Sequence, residues 1–164
     1  MAKEITLTQK KVAIVDDEDF EFLNQWKWHA WRGGRTFYAI RSFYPKRKRN
    51  EKRRQIVIRM HREILGTPKG KKADHKDRNG LNNRRYNLRV ATHAQNMANM
   101  RVPITNTSGF KGVSWHSAAR KWCASIRSKN KSKWIGLFES KEAAARAYDL
   151  KARALRGDFA SLNF

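Results

Sequence analysis

The chain has 164 residues, with 37 Lys or Arg against 14 Asp or Glu, for a formal net charge of +23. Such a field attracts polyanions, so DNA, RNA and an anionic membrane surface are all open on charge alone, while a 40% hydrophobic fraction that includes 6 Trp excludes a disordered tail. The single cysteine, Cys123, excludes a disulfide framework and a cysteine-built zinc site and suits a reducing cytoplasm.

In chain order, residues 3–15 alternate through Ile5, Leu7, Val12, Ile14 and Val15 and predict one or two short strands. Nothing in this N-terminal stretch resembles the apolar core of a secretory signal, and no apolar run of about 18 residues predicts a membrane span. Asp16, Asp17, Glu18, Asp19 and Glu21 then stand just before Phe20, Phe22, Leu23, Trp26 and Trp28. Acids at a helix start complement its dipole, and an Asp can cap it; a metal site is the other reading.

Residues 36–41 predict a strand. The run PKRKRNEKRR, 45–54, is a solvated basic loop that beside DNA would touch phosphates. Residues 55–66 predict a strand running into a short helical turn ended by Gly66, and 90–100 are compatible with a helix. The stretch 101–109, with Pro103 and Gly109, reads as a linker. Beyond it, 110–116, 120–127 and 132–138 predict three strands, and 140–157 a helix capped by Ser140 and closed by Gly157. Its expected apolar face comprises Ala143, Ala144, Ala147, Tyr148, Leu150, Lys151 and Leu155.

The chemistry-bearing stretch is ADHKDRNGLNNRRYNLR, 73–89. Asp74 offers a hard anionic oxygen suited to Mg2+ or Mn2+, and His75 a base that works near neutral pH. Asparagines can complete a metal shell, and such a set suits metal-assisted hydrolysis of a phosphodiester. Spacing alone allows a plainer reading: Asn79-Gly80 makes a hairpin turn and the remaining polar groups satisfy loop backbone.

MHREILG followed by ADHKDRNGLNNRRYNLRVATHAQN, residues 60–96, resembles an HNH-type homing endonuclease of the His-Me (ββα-metal) finger group. The resemblance implies His75 as general base, Asp74 and Asn96 as ligands of one divalent ion, Mg2+ or Mn2+, and Asn87 as the asparagine that orients the histidine loop. His93 competes with Asn96 for the same helix face. His61 is assigned to packing or phosphate contact, and Asn79, Asn82 and Asn83 to the turn. No structural zinc is expected.

GVSWH, RKWCASIRS and SKWIGLFESKEAAARAYDLKARALRGDFASLNF, within 110–164, resemble the plant ethylene-response-factor type DNA-binding domain. The resemblance implies a three-stranded sheet laid in the major groove. It places Arg127 and Trp134 at DNA contacts and Gly112 where backbone approaches DNA, with Lys111, Trp115, Arg120 and Lys133 as neighbours. Ser114 and Ser125 depart from the plant pattern of Arg and Glu, so the plant target does not transfer. Trp122 is expected in the core.

The fold class expected is α+β: a small ββα-metal finger plus a three-stranded antiparallel sheet packed on one helix. The expected domains are an N-terminal β-rich DNA-contacting segment 1–57, the HNH finger 58–100, a linker 101–109 and the sheet-plus-helix domain 110–164. The expected function is a site-specific, metal-dependent DNA endonuclease, homing-endonuclease-like, that nicks one strand. It would act on double-stranded DNA as a monomer, away from membranes, in the cytoplasm of a bacterial or phage-infected cell. The alternatives are a non-catalytic, sequence-specific DNA-binding regulator and an RNA-binding structural protein. A major-groove reader favours duplex DNA over the latter, because the deep groove of A-form RNA is closed to such elements.

Overall fold

The computed structural model describes residues 1–46, 52, 54–128 and 131–164. Most of the basic run 45–54, and part of the connection 129–131, lie outside the described residues. The chain forms two compact units, Met1–His93 and Ala94–Phe164. The architecture is α+β, as expected, with antiparallel sheets throughout and short helices. No helix among the described residues is long and apolar enough to cross a membrane.

The first unit opens with a hairpin of β1 (Ala2–Thr6) and β2 (Val12–Asp16), followed by α1 (Asp17–Leu23). Asp16 stands at the N-cap of α1, but its side chain makes no capping bond. The expected cap is corrected, because the carboxylate is drawn instead to two arginines of the finger. Arg84 Nε donates to Oδ1 at 2.9 Å and the Arg85 amide to Oδ2 at 2.7 Å. Asp19 receives Arg85 through two bonds of 2.8 and 2.6 Å, the fork geometry that makes Arg–carboxylate pairs specific.

A three-stranded sheet follows, in the order β3 (His29–Gly33), β4 (Thr36–Phe43), β5 (Ile56–Arg59), and β5 runs into α2 (Met60–Ile64). The finger hairpin pairs β6 (Lys72–His75) with β7 (Leu88–Ala91). Its loop is stitched to β2: the Ile14 amide donates to Leu81 O at 2.8 Å and the Asn83 amide to Ile14 O at 2.7 Å.

One core joins Ile5, Leu7, Val15, Leu23, Trp28, Met60, Ile64 and Leu88. It crosses the expected boundary between 1–57 and the finger. The reason is volume. The finger brings only Met60, Ile64 and Leu88 to that core as large buried apolar side chains. At about 2–3 kcal/mol each, they stabilise too little for a free-standing fold and need the N-terminal strands.

Gly80 also has a reason other than the one expected. Its backbone is not in the left-handed region; Arg78, at φ 64°, takes that conformation instead. A Cβ at Gly80 would lie 2.4 Å from Phe37 O and 2.6 Å from the Tyr38 ring, so the glycine lets the loop lie against β4.

In the second unit, α3 (His93–Asn99) leads into it, and β8 (Val113–His116), β9 (Lys121–Ser128) and β10 (Lys131–Phe138) form an antiparallel sheet packed on α4 (Lys141–Arg156). Ser140 Oγ accepts from the Ala143 amide at 3.1 Å and caps α4. The buried row of α4 is Ala144, Ala145, Tyr148 and Ala152. Leu150 and Leu155, expected in that face, are 74% and 41% exposed, and Ala143 is exposed as well. Positions 144, 148 and 152 follow the i, i+4 row of a helix, which carries 150 round to the far side.

Asn163 ties this unit together. It accepts from the Lys111 amide at 2.7 Å and donates its own side-chain amide to Asp149 at 3.0 Å. Gly112, at φ 75°, lies against the Tyr148 ring, and a Cβ there would meet ring carbons at 2.1 and 2.2 Å and Ser125 O at 2.7 Å. Gly112→Ala should therefore cost about 3 kcal/mol or more and lower the midpoint of the second unit in a urea melt; an unchanged midpoint would contradict this packing.

Candidate active site

The last two residues of β6 are Asp74 and His75. Their side chains take different partners. Asp74 stands opposite Arg89 in the ladder, and its Oδ2 accepts from both Arg89 Nε and Nη2 at 2.8 Å. Asp74 is buried and the Arg89 side chain nearly so, at 7% and 12% exposure, so solvent screens this pair little.

His75 turns to a different environment. Its Nε2 lies 3.1 Å from Asn83 Oδ1. Asn83 donates its amide nitrogen to Leu81 O at 3.3 Å, which turns its carbonyl oxygen toward the imidazole. Nε2 therefore carries the proton, and Nδ1 carries the lone pair. Burial pushes the His75 pKa below its ordinary value, against the opposing bond to Asn83, so the ring is neutral at pH 7.

His61 packs edge-on to His75 with ring centroids 4.8 Å apart, and Tyr38 lies 5.5 Å from His61 and 5.9 Å from His75. Burial, with help from the neighbouring His75, lowers the His61 pKa to about 3. Its Nδ1 is buried without a hydrogen-bond partner. Tyr38 is likewise shifted by burial, upward, which keeps its hydroxyl protonated.

The loop after His75 is built on Asn87 and Asp77. Asn87 Nδ2 donates to Asp77 Oδ1 at 2.9 Å and to Asn82 O at 2.7 Å, while its Oδ1 accepts from the Asp77 amide at 3.0 Å. Asp77 also accepts from the Asn79 amide at 2.8 Å and from Asn82 Nδ2 at 2.7 Å. Asn79 and Asn82 thus sit within the turn. Asn83, expected there too, is fully buried beneath His75. Sequence reasoning missed Asn83, Tyr38 and Arg89 as neighbours of the pair; Arg89 was legible only through strand register. Asn96 stands on α3 in the second unit, and His93 is the first residue of that helix.

The donor set bears on a divalent ion. Among the described residues no group of three or more His, Cys, Asp or Glu could hold a metal. Asp74 by itself does not make a protein cage. One carboxylate suits a divalent ion that keeps several waters and is bound through one or two carboxylates plus phosphate.

The expected contacts of the second unit separate by sheet face. Ladder partners share a face, so Arg127, paired with Ser132, and Trp134, paired with Ser125, stand on the face away from α4. Trp134 is 58% exposed and touches His116 edge-on at 6.3 Å. Trp115 pairs with Trp122, and Lys133 with Ile126, which puts both on the α4 side. Trp122 packs on the core there and meets Trp115 edge-on, with ring centroids 5.2 Å apart. Arg120 is exposed in the β8–β9 turn, at φ 50°. Lys111 and Gly112 precede β8. Lys111 Nζ donates to Ala98 O and Met100 O at 2.6 and 2.7 Å, at the end of α3. The register divides the seven: Arg127 and Trp134 lie on the open face, Trp115 and Lys133 on the α4 side, Arg120 in a turn, and Lys111 and Gly112 before β8.

The family model for HNH endonucleases matches residues 60–98. Protein 3.8 of Escherichia phage T7 is 38% identical over 93 residues, which cover 57% of this chain and 76% of that protein. The chain belongs to the HNH endonuclease family. Asp74, His75, Asn87 and Asn96 all lie within the HNH match. The C-terminal region is similar to plant transcription factors. Ethylene-responsive transcription factor ERF084 of Arabidopsis thaliana is 47% identical over 60 residues, 35% of this chain and 23% of that protein. Ethylene-responsive transcription factor ERF024 of the same plant is 42% identical over 57 residues, 34% of this chain and 31% of that protein. The chain thus spans less than a third of these plant relatives. No solved structure matches the chain.

His61 gives the HNH unit a pH dependence. In the unfolded chain it takes its proton near pH 6.5, but in the folded chain only near 3. Between those values the unfolded state binds more protons, so stability is full above 6.5 and falls as pH drops toward 3, by up to about 5 kcal/mol. His61→Phe should lower the pH of half-unfolding, followed by circular dichroism; an unshifted acid transition would contradict the burial of a neutral His61.

Proposed function

We propose that the chain is a site-specific, metal-dependent DNA endonuclease of the homing type that nicks one strand of double-stranded DNA. The observation that carries this reading is Asp74 and His75 side by side at the end of β6, with His75 neutral and braced by Asn83, inside the HNH match. The chain would act as a monomer, in the cytoplasm of a bacterial or phage-infected cell.

In this reading His75 Nδ1 takes a proton from water, the water oxygen bonds to the scissile phosphorus, and the bond from phosphorus to the 3′ oxygen breaks, that oxygen leaving and taking up a proton from solvent. Asn83 holds the imidazole so that the accepting nitrogen faces away from the loop. Asn87 fixes the loop that carries it. Asp74 and Asn96 match the family's ligand positions and would hold one Mg2+ or Mn2+. When bound, the ion supplies positive charge for the phosphate and the leaving oxygen. The family chemistry implies 5′-phosphate and 3′-hydroxyl ends.

Site choice falls to the open face of β8–β10, through Arg127 and Trp134, whose arrangement suits a sheet laid in a groove. The net charge of +23 supplies sequence-independent attraction to phosphates.

His75→Ala should lower cleavage by about 10²–10⁴-fold and leave duplex binding nearly intact, measured by nicking of a supercoiled plasmid beside a gel shift. Cleavage at the wild-type rate would sink the mechanism. A protein that bound duplex without any metal-dependent cleavage would be the non-catalytic regulator instead. Arg127→Ala with Trp134→Ala should weaken specific-duplex binding at least about tenfold, while Trp115→Ala should act on stability more than on specificity. Binding should fall with salt at a log–log slope of about −0.9 per phosphate neutralised.

A further inference from the structure

Arg89 is not assigned a role by the reaction scheme, yet it makes an ionic contact to the proposed ligand Asp74. Register puts it directly opposite Asp74 in the β6–β7 ladder. Both Nε and Nη2 converge on one carboxylate oxygen, Oδ2, at 2.8 Å. The pair is nearly out of solvent, at 12% and 7% side-chain exposure. A monovalent cation is therefore already built into the place where a divalent one would bind.

Two effects of Arg89 on a cation at Asp74 oppose each other. The guanidinium fixes the carboxylate rotamer, which favours binding. It also occupies the carboxylate and repels a second positive charge. The orienting effect has the size of an ordinary hydrogen bond, whereas the repulsion scales with the double charge of the ion and is poorly screened at this burial. Repulsion and occupancy therefore dominate.

We propose that Arg89 is a built-in competitor for the divalent cation at Asp74, so that the DNA-free chain loads metal weakly. The inference rests on the reading of Asp74 as a metal ligand. A phosphodiester brought to the site would supply the anion that the guanidinium otherwise finds in Asp74, which makes metal loading follow DNA binding.

The test is Mn2+ affinity of the full chain without DNA, read by calorimetry or by the electron paramagnetic resonance of free Mn2+. Arg89→Gln keeps a donor for Asp74 but removes the charge, and should bind Mn2+ at least about tenfold more tightly than wild type. Arg89→Lys keeps the charge and should stay near wild type. Equal or weaker binding by a folded Arg89→Gln overturns the competition. Asp74→Asn separates the two ideas. If it loses Mn2+ binding while Arg89→Gln is unchanged, Asp74 is a ligand and only the competition fails. If it binds as wild type does, the ligand reading fails and takes the competition with it. A measurement on the unaltered chain avoids any folding defect. The Arg89 Nε–H signal in a nitrogen-15 spectrum should shift as Mg2+ is added, and saturation with no change at that signal overturns the proposal.

Discussion

The carboxamide of Asn87 is the constraint on which the finger depends. It makes three bonds, to Asp77 Oδ1, to Asn82 O and from the Asp77 amide, and so closes the loop between β6 and β7 at both ends. A buried amide in such a place is specific because it must satisfy donor and acceptor at once. An aspartate would repel Asp77, and a leucine would leave the Asp77 amide and Asn82 O without these partners. With the loop closed, the Asn83 amide reaches Ile14 O and its side chain reaches His75. The orientation of the His75 ring therefore depends on the carboxamide that closes the loop.

Electrostatics does a second job in the same unit. The acids are few, and they are spent internally. Asp16, Asp19 and Glu18 hold Arg84 and Arg85, Glu63 holds Arg41, and Asp74 holds Arg89. Isolated exposed pairs contribute little, but the buried Asp19 and Asp74 carboxylates are held in forked or converging geometry, where removing one partner strands a charge. The acidic cluster that reads from sequence as a helix start or a metal site is thus the clasp between the N-terminal hairpin and the finger. Because these acids are turned onto specific arginines, the excess of Lys and Arg is left to set the outward field.

The residues legible in sequence were those whose partners are close in the chain. Asp74, His75, Asp77, Asn82 and Asn87 fall within a short stretch, and their order carries the family pattern. The first hairpin, β4, β5, the strands of the second unit and α4 followed from periodicity, with Ser140 at the cap, while β3, β6 and β7 did not. What sequence left hidden depends on contacts distant in the chain. Tyr38 comes from β4 and His61 from α2, and nothing local ties either to His75. Asn83 looks like one more turn asparagine because its burial is set by β2. Gly80 looks like a turn glycine because the approach of Phe37 and Tyr38 has no sequence signature.

The second unit shows why strand membership is a weaker guide than strand register. Trp115, Arg127, Lys133 and Trp134 are all basic or aromatic and all lie on the three strands, so sequence treats them alike. Pairing separates them, because a ladder partner fixes the face: Ile126 claims Lys133 for the helix side and Trp122 claims Trp115, while Ser125 and Ser132 leave Trp134 and Arg127 on the open side. Ile135, one step beyond Trp134, turns into the core beside Tyr148 and Ala152, and the irregularity between Trp134 and Gly136 brings Gly136 opposite Ala124 and Phe138 opposite Trp122 on the same helix side. Without that shift, strict alternation would keep Gly136 in step with Trp134 on the open face and take it out of register with Ala124. One extra residue in an edge strand thus lets both Ile135 and Phe138 pack on the core, while the regular pairs before it leave Trp134 on the open side.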